Sequence, residues 1–256
     1  AGMDKLGHLL ELPLERGAGA VLPPGAGPAT VALHQLICRP PGRQSPTQEF
    51  NAVAWPGQRV AVVGASGSGQ GVLLETIFGL RTPLGGTILI DGYDLRDLQL
   101  GQLRQELALV MDVEVLEGTV LENLRMGREH ISVATIRDTL AALGLAEAIM
   151  ALPEGLNTPL NHQGQPLAQE QVRRLMLTRA AVGQPRLLLI HELLDALDAE
   201  AGPPAIRWLL RPDAPWTAIV VTQHPEVLRH CDRLWRLEQG MLLNAALAPA
   251  PAPANG

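Results

Sequence analysis

Short runs of consecutive apolar residues alternate along this chain with segments in which apolar residues recur at helical spacing. Three runs, 59–63, 186–190 and 218–222, are rich in valine, isoleucine, leucine or alanine, which is typical of strands buried on both faces of a parallel sheet. Val72 to Leu80 has the apolar spacing of a helix. Strands that alternate with helices predict right-handed crossovers, so the pattern indicates an α/β fold with a mainly parallel sheet flanked by helices.

Two further parts of the chain extend this pattern. Val31 to Cys38 predicts an edge strand, and a strand over Thr87 to Ile90 follows two glycines and ends at an Asp-Gly turn. From about Val115 to Ala181 the periodicity is mostly helical. One predicted helical face carries Ile136, Leu140, Leu143 and Leu145. The middle of the chain therefore predicts a group of helices.

The composition indicates one folded domain with irregular ends. Of the 256 residues, 46% are hydrophobic and 18% are charged, which excludes disorder over the chain as a whole. Residues 1–30 are rich in Gly, Pro and Ala apart from an apolar-periodic piece at Leu6 to Leu14, and 246–256 alternate Ala and Pro, which predicts a disordered tail. The folded domain is expected over 31–245.

Charge and cysteine content exclude several classes of function. The 20 Lys and Arg against 26 Asp and Glu give a net charge of −6 without a dense basic cluster, so no nucleic-acid partner is expected. The two cysteines, Cys38 and Cys231, are too few for a disulfide framework or a cysteine zinc site, and we expect both to be small buried hydrophobes. No apolar stretch reaches the length of about 18 residues that spans a bilayer. No charged segment is followed by an apolar one at the start of the sequence, so no signal peptide is expected.

A glycine-rich segment between a predicted strand and a predicted helix is the main candidate site. In this context backbone N–H groups form an anion-binding nest at a helix N-terminus. The residues expected around a phosphate are Gly64, Ser66, Gly67, Ser68, Gly69, Gln70 and Gly71. The nucleotide phosphate loop has the pattern G-x-x-x-x-G-K-[ST], and here Gln70 replaces the lysine and Gly71 the hydroxyl residue. The loop therefore lacks the charge for the phosphates and the oxygen for Mg²⁺.

The order of motifs resembles that of the nucleotide-binding domain of an ABC transporter of the exporter type, from about Leu6 to Leu243. Besides the loop, the resembling stretches are Leu6 to Glu15 (the linker after a membrane domain), Gly85 to Gly92, Glu117 to Leu124, Leu152 to Thr158, Asp195 to Asp198 (the D-loop) and Thr222 to His224. The resemblance implies a P-loop NTPase-like core with an antiparallel β edge and a helical subdomain at about 113–181.

The resemblance also implies roles for individual residues. In this family two such domains pair head to tail and hold ATP between the phosphate loop of one and the signature motif of the other. Glu192 matches the residue that polarises the attacking water, and His224 matches the histidine that contacts the γ-phosphate. Asp198 matches the D-loop aspartate. The resemblance therefore implies a remnant catalytic pair, Glu192 and His224.

Other positions depart from the family pattern. His191 stands where the family has an aspartate that is an outer-shell partner of Mg²⁺, and imidazole does not replace that charge. Asp112 stands near the position of the Q-loop glutamine, either as a surface aspartate or in some role towards Mg²⁺. No aromatic residue for adenine lies near Arg39 to Pro41, where the arginine either stacks on a base or stays solvated. A metal held by His191 and His224 would lack a third ligand, so no metal site is predicted.

The signature motif is altered throughout. The residues Leu167, Ala168, Gln169, Glu170 and Gln171 stand where the family has Leu-Ser-Gly-Gly-Gln. The serine hydroxyl and both glycines are missing, and Glu170 is expected to repel a γ-phosphate. The helix that follows matches that of the family, so we expect it to persist as a structural element.

These departures predict a structural or regulatory pseudo-ATPase with little or no ATP binding and hydrolysis, and no cofactor bound with high affinity. Two alternatives stay open. One is a functional domain that binds ATP and Mg²⁺ and energises export, and the other is a domain repurposed to bind another anion or a protein partner. The resemblance implies a place on the cytoplasmic face of a membrane. It also implies a membrane domain, upstream in the same polypeptide or in a separate subunit, and a second nucleotide-binding domain as partners.

Overall fold

A computed structural model describes residues 19–20, 27–39, 46–200, 202–238 and 240–246. The predicted linker piece at Leu6 to Glu15 and residues 247–256 of the predicted tail lie outside this part of the chain. Ala246, the first residue of that tail, is the last residue of a strand. Among the described residues, no helix combines the length and the apolar character needed to cross a bilayer.

The strands are β1 (Val31–Ile37), β2 (Phe50–Ala54), β3 (Arg59–Gly64), β4 (Gly85–Ile90), β5 (Tyr93–Asp94), β6 (Leu107–Val110), β7 (Gly118–Thr119), β8 (Pro159–Leu160), β9 (Leu187–His191), β10 (Thr217–Val221), β11 (Arg233–Glu238) and β12 (Met241–Ala246). The helices are α1 (Gln70–Ile77), α2 (Leu100–Glu106), α3 (Val120–Arg125), α4 (Val133–Ala142), α5 (Ala146–Met150), α6 (Gln169–Ala181), α7 (Gly202–Leu209) and α8 (Pro225–Arg229), and 3-10 turns occupy Leu95–Asp97 and Gly155–Asn157.

The larger sheet has the order β12-β11-β3-β10-β9-β6, and its strands are parallel except for β12, which pairs antiparallel with β11. The three predicted strands become β3, β9 and β10 at its centre. Successive residues of these strands point to opposite faces, so their uniformly apolar sequences fill a core on each side. The α/β prediction is confirmed.

A second, antiparallel sheet has the order β2-β1-β4-β5. It confirms the expected antiparallel β region, but the prediction that β1 is an edge strand is wrong. Leu33 pairs with Ala52 of β2 on one side and with Ile88 of β4 on the other, and it is fully buried.

A hydrophobic core lies on each face of the larger sheet. One core includes α1, the antiparallel sheet and alternate strand residues such as Val62 and Leu189. The other includes residues of α3 to α8 and the intervening strand residues, such as Ile190. The predicted apolar face of the helical region is buried in this second core, as Ile136, Leu140, Leu143 and Leu145.

Local capping explains where two helices of the middle region begin. Thr119 Oγ1 accepts from Glu122 N–H at 3.1 Å, and Glu122 Oε2 accepts from Thr119 N–H at 2.7 Å, which is a reciprocal capping box at the start of α3. Ser132 Oγ accepts from Thr135 N–H at 3.0 Å at the start of α4. The side chains of Thr119 and Ser132 therefore fix the starts of α3 and α4, whereas α5 begins after Leu145 and α6 after Ala168, without a side-chain cap from the N-cap residue.

Arg186, immediately before β9, joins the two sheets. Its guanidinium lies 2.5 Å from a carboxylate oxygen of Asp91, at the turn after β4, and 3.1 Å from one of Glu106, at the end of α2. Nε donates to Gly27 O at 2.8 Å. The side chain is 13% exposed, so these contacts form in a partly dehydrated gap. One cation therefore holds the antiparallel sheet, α2 and the parallel sheet in a fixed arrangement.

Replacing Arg186 by Met should lower the free energy of unfolding by about 2–3 kcal/mol, because two half-buried carboxylates lose their shared cation. Urea denaturation measures this loss. The matched control is Arg236→Met, which breaks a pair with Glu238 whose two side chains are 51% and 53% exposed and should leave stability close to that of the native protein. Equal effects of the two variants would contradict the role assigned to Arg186.

The two cysteines are free and buried, as expected. Burial raises the pKa of Cys231 to about 12 and also holds the pKa of Cys38 above its ordinary value. The stability that the protonated Cys231 thiol contributes is present below the unfolded pKa of about 8.5 and is lost as the pH rises through the folded pKa of about 12. At pH 8 a thiol reagent should label neither cysteine in the native protein and both in urea. Rapid labelling of the native protein would contradict this prediction.

Candidate functional site

The glycine-rich segment lies at the carboxyl end of β3, in the middle of the larger sheet. β3 ends at Gly64, and α1 begins at Gln70 after a left-handed N-cap at Gly69, where φ is 109°. Ser68 N–H donates to Ala65 O at 3.0 Å and closes the turn. The rim of the loop, including Ser66 and Gly67, is exposed. The shape of a phosphate loop is therefore present.

Uncharged side chains line the inside of this loop. Ser68 is 2% exposed and its Oγ has no hydrogen-bond partner in the part of the chain that the structure describes, and Gln70 is 6% exposed. A Cβ added at Gly64 would lie 2.6 Å from Ser68 Oγ and 3.0 Å from Gln70 Nε2, so both side chains fold back over this glycine. The amide of Gln70 occupies the interior that the P-loop pattern gives to a lysine ammonium.

Gly71, the second residue of α1, lies against two side chains from the ends of neighbouring strands. A Cβ added there would be 3.2 Å from Met111 Cε and 3.3 Å from His191 Nε2. Val110 of β6 pairs with Ile190 of β9, so the residues that follow them reach the helix side by side. Mg²⁺ prefers oxygen ligands in octahedral geometry. A thioether methyl group, an imidazole and a glycine offer none, so these residues do not fit the cation.

The two residues matched to catalytic roles follow adjacent strands. Glu192 comes after β9 and is exposed, with φ at 55°, and its N–H donates to Val221 O at 2.9 Å. His224 comes after β10, and its Nδ1 accepts from Glu226 N–H at 3.2 Å, which makes it the N-cap of α8. His224 therefore has a structural task that does not depend on a nucleotide.

Asp195 ties the ends of these two strands together. Its carboxylate accepts from Thr222 Oγ1 and, at 2.7 Å, from Gln223 N–H. The sequence placed Asp195 in the D-loop but gave it no role of its own. Asp198, the residue matched to the D-loop aspartate, accepts from Glu200 N–H at 3.1 Å. Asp195 therefore binds donors at the end of a neighbouring strand, whereas the Asp198 carboxylate binds a backbone donor two residues further along the chain.

Asp112 and Arg39 stand near the sequence positions where the family has the Q-loop glutamine and the aromatic residue for adenine. Asp112 is exposed, and its carboxylate accepts from the N–H of Val113 at 2.7 Å. Arg39 is exposed, while residues 40–45 lie outside the described part of the chain. Neither residue meets the Gly64–Gly71 loop through a contact that would assign it a binding role.

The altered signature segment lies on a different element, at the N-terminus of α6. Leu167 is buried, Ala168 and Gln169 are exposed, and Gln171 Oε1 accepts from Ala168 N–H at 2.9 Å. This bond satisfies one backbone donor ahead of the helix without the serine hydroxyl that the family has there.

Glu170 of this segment does not project as an isolated charge. Its Oε2 accepts from Arg174 Nε at 2.8 Å, and Arg174 Nη1 donates to Gly144 O at 2.6 Å. The Glu170 side chain is 19% exposed. Because the carboxylate is paired on its own helix, its repulsion of an anion is weaker than its charge alone suggests. The spacing of four residues between Glu170 and Arg174 is the sequence signal for this pair.

A parallel strand that ends in a glycine loop and opens a helix is the defining feature of P-loop nucleotide-binding domains. The family model described as ABC transporter matches residues 48–194, more than half of this chain. The chain belongs to the ABC transporter family.

Individual relatives agree with this assignment. The ATP-dependent lipid A-core flippase of Xylella fastidiosa (strain 9a5c) is 29% identical over 248 residues, which cover 96% of this chain and 42% of that protein. The lipid A-core flippase of Chromobacterium violaceum is 35% identical over 191 residues, 73% of this chain and 32% of that protein. The solved structure of a bacterial Atm1-family ABC exporter with ATP bound has a TM-score of 0.82 and 25% identity, over 95% of this chain and 43% of that one.

These matches confirm the predicted class, an exporter-type nucleotide-binding domain with a P-loop NTPase core. The chain spans less than half the length of these relatives.

Replacing His224 by Ala should lower the free energy of unfolding by about 1 kcal/mol, because α8 loses its N-cap acceptor. His224→Asn keeps a side-chain acceptor at this position and should restore most of the loss. Urea denaturation of the three proteins measures both effects. Equal stability of the native protein and His224→Ala would contradict the capping role.

Proposed function

We propose that this chain is a degenerate nucleotide-binding domain that acts as a structural or regulatory pseudo-ATPase, with little or no binding and hydrolysis of Mg-ATP. The observation that carries the proposal is the content of the loop. Gln70 stands inside it in place of a cation, and His191 and Met111 approach Gly71 where the pattern has a metal-binding hydroxyl.

The energetic consequence follows from charge. A lysine in this position forms charge-assisted hydrogen bonds to the β- and γ-phosphates, whereas Gln70 offers neutral donors. Loss of such a bond costs about 1.5–3 kcal/mol, or about ten- to a hundredfold in affinity. The missing metal oxygen at Gly71 weakens the binding of Mg-ATP further, because the cation neutralises charge on the bound phosphates.

Pairing with a second domain does not repair the site. In a homodimer a weak loop would face the segment Ala168-Gln169-Glu170, which has lost the serine hydroxyl. The pairing of Glu170 with Arg174 reduces the repulsion of a partner's nucleotide but supplies no new donor for it. An intact partner would contribute either a good loop opposite a poor signature segment or a good signature motif opposite Gln70.

We further propose that the domain works as part of a larger assembly on the cytoplasmic face of a membrane. The matched relatives are more than twice the length of the matched region, and they are named as a flippase and an exporter. The expected partners are a membrane domain, in the same polypeptide or in a separate subunit, and a second nucleotide-binding domain. In this role the fold supplies a rigid docking body rather than an energy source.

The alternative is a functional domain that hydrolyses ATP to energise export. It is favoured by one observation: Glu192 and His224 follow adjacent strands, β9 and β10, at the same edge of the sheet as the loop. These are the residues that match the catalytic pair of the family. In this alternative ATP and Mg²⁺ are cofactors.

Isothermal titration and a phosphate-release assay distinguish the two functions. With Mg-ATP up to millimolar concentration we expect no binding heat, and no phosphate release above that of the Glu192→Gln variant. Micromolar, Mg²⁺-dependent binding together with hydrolysis that Glu192→Gln abolishes would establish the alternative. Titration with Mg²⁺-free ATP, run in parallel, separates the contribution of the metal from that of the loop.

A further inference from the structure

Gly71 is the point where three elements of the domain meet. It lies in the first turn of α1, while Met111 directly follows β6 and His191 is the last residue of β9, the neighbour of β6 in the sheet. The distances of 3.2 Å and 3.3 Å from a Cβ at Gly71 to Met111 Cε and His191 Nε2 are shorter than the usual contact distance of about 3.5–4.0 Å. Any side chain at this position therefore requires His191 and Met111 to move.

We infer that Gly71, Met111 and His191 form a packed plug at the cation position, so that a divalent cation makes no contribution to the phosphate binding that the loop retains. This inference deepens the proposed function and rests on it for the identity of the site. The plug excludes the metal because its side chains fill the space and because they offer no oxygen ligand. The Cβ of a hydroxyl residue at position 71 would lie closer than the usual contact distance to both the imidazole and the methyl group.

The plug also explains why the two departures from the family pattern occur together. Aspartate is shorter than histidine, so an aspartate at position 191 would leave room for a side chain on Gly71 and for the oxygen shell of Mg²⁺. Histidine at 191 fills that room and leaves glycine as the residue that fits opposite it. Position 191 thereby decides whether the loop takes the metal-bound or the metal-free form of a nucleotide.

A double-mutant cycle that measures melting temperatures tests the packing at Gly71 without any nucleotide. Gly71→Ala adds a single methyl group and should lower the melting temperature of the native protein. In a His191→Ala background the same change should be about 2–4 °C more favourable, because the flexible Met111 side chain can shift into the vacated space and alanine favours the helix. Gly101→Ala is the matched control, since Gly101 is also the second residue of its helix and a Cβ there meets nothing within 4 Å. It should raise the melting temperature in both backgrounds.

Equal effects of Gly71→Ala in the two backgrounds would overturn the plug. If His191→Ala does not fold, Met111→Ala provides the second background, with the same expectation in the same direction. This result is independent of the proposed function. The proposed function fails if the native protein hydrolyses Mg-ATP, whereas the plug fails if the cycle is additive.

ATP titrations of variants that carry the family residues in the loop test directly whether the metal contributes to binding. Gln70→Lys/Gly71→Ser should bind ATP more tightly than the native protein does, and to the same extent with Mg²⁺ as with EDTA. Adding His191→Asp should make binding at least about tenfold tighter with Mg²⁺ than with EDTA. Magnesium-dependent binding by the double variant, or metal-independent binding by the triple variant, would overturn the inference.

Discussion

The arrangement of the two sheets depends on one partly buried cation. Arg186 stands at the start of β9, where its backbone carbonyl accepts from Ala29 N–H at 2.9 Å and from Thr217 N–H at 3.0 Å. Its guanidinium meanwhile holds Asp91 and Glu106. The positions of α1 and of the loop follow from this contact, because α1 is packed in the core between the two sheets. A loop whose interior carries the uncharged Gln70 is thus built on a frame that is held by charge.

The apolar strands at the centre of the larger sheet were predictable because a strand buried on both faces has a nearly continuous apolar sequence. β6 was not, since Leu107 follows α2 with no turn residue between them and its apolar run is only four residues long. β1 was predicted as a strand, but the number of its neighbours depends on the distant residues of β2 and β4. A single strand sequence does not contain that information.

At the site, the sequence was sufficient to find which groups are missing. It was not sufficient to find what takes their place. The repulsive role expected of Glu170 changes because Arg174 pairs with it, and that spacing was visible in the sequence. The approach of Met111 and His191 to Gly71 was not visible, because three residues far apart in the chain meet only after the sheet has formed. Predictions from motifs identify lost functional groups, and packing determines whether the vacated space remains open.

The close approach at Gly71 has an evolutionary consequence. A lineage that carries histidine at position 191 gains nothing from a single mutation that restores serine or threonine at position 71, because the new side chain first meets an occupied space. Restoring aspartate at position 191 alone places a carboxylate opposite a glycine and builds only half of a metal site. A single step towards the family pattern at either position is therefore expected to bring no gain in metal binding. The two positions are therefore coupled, so that a chain with histidine at 191 and glycine at 71 approaches the family pattern only through two substitutions made together.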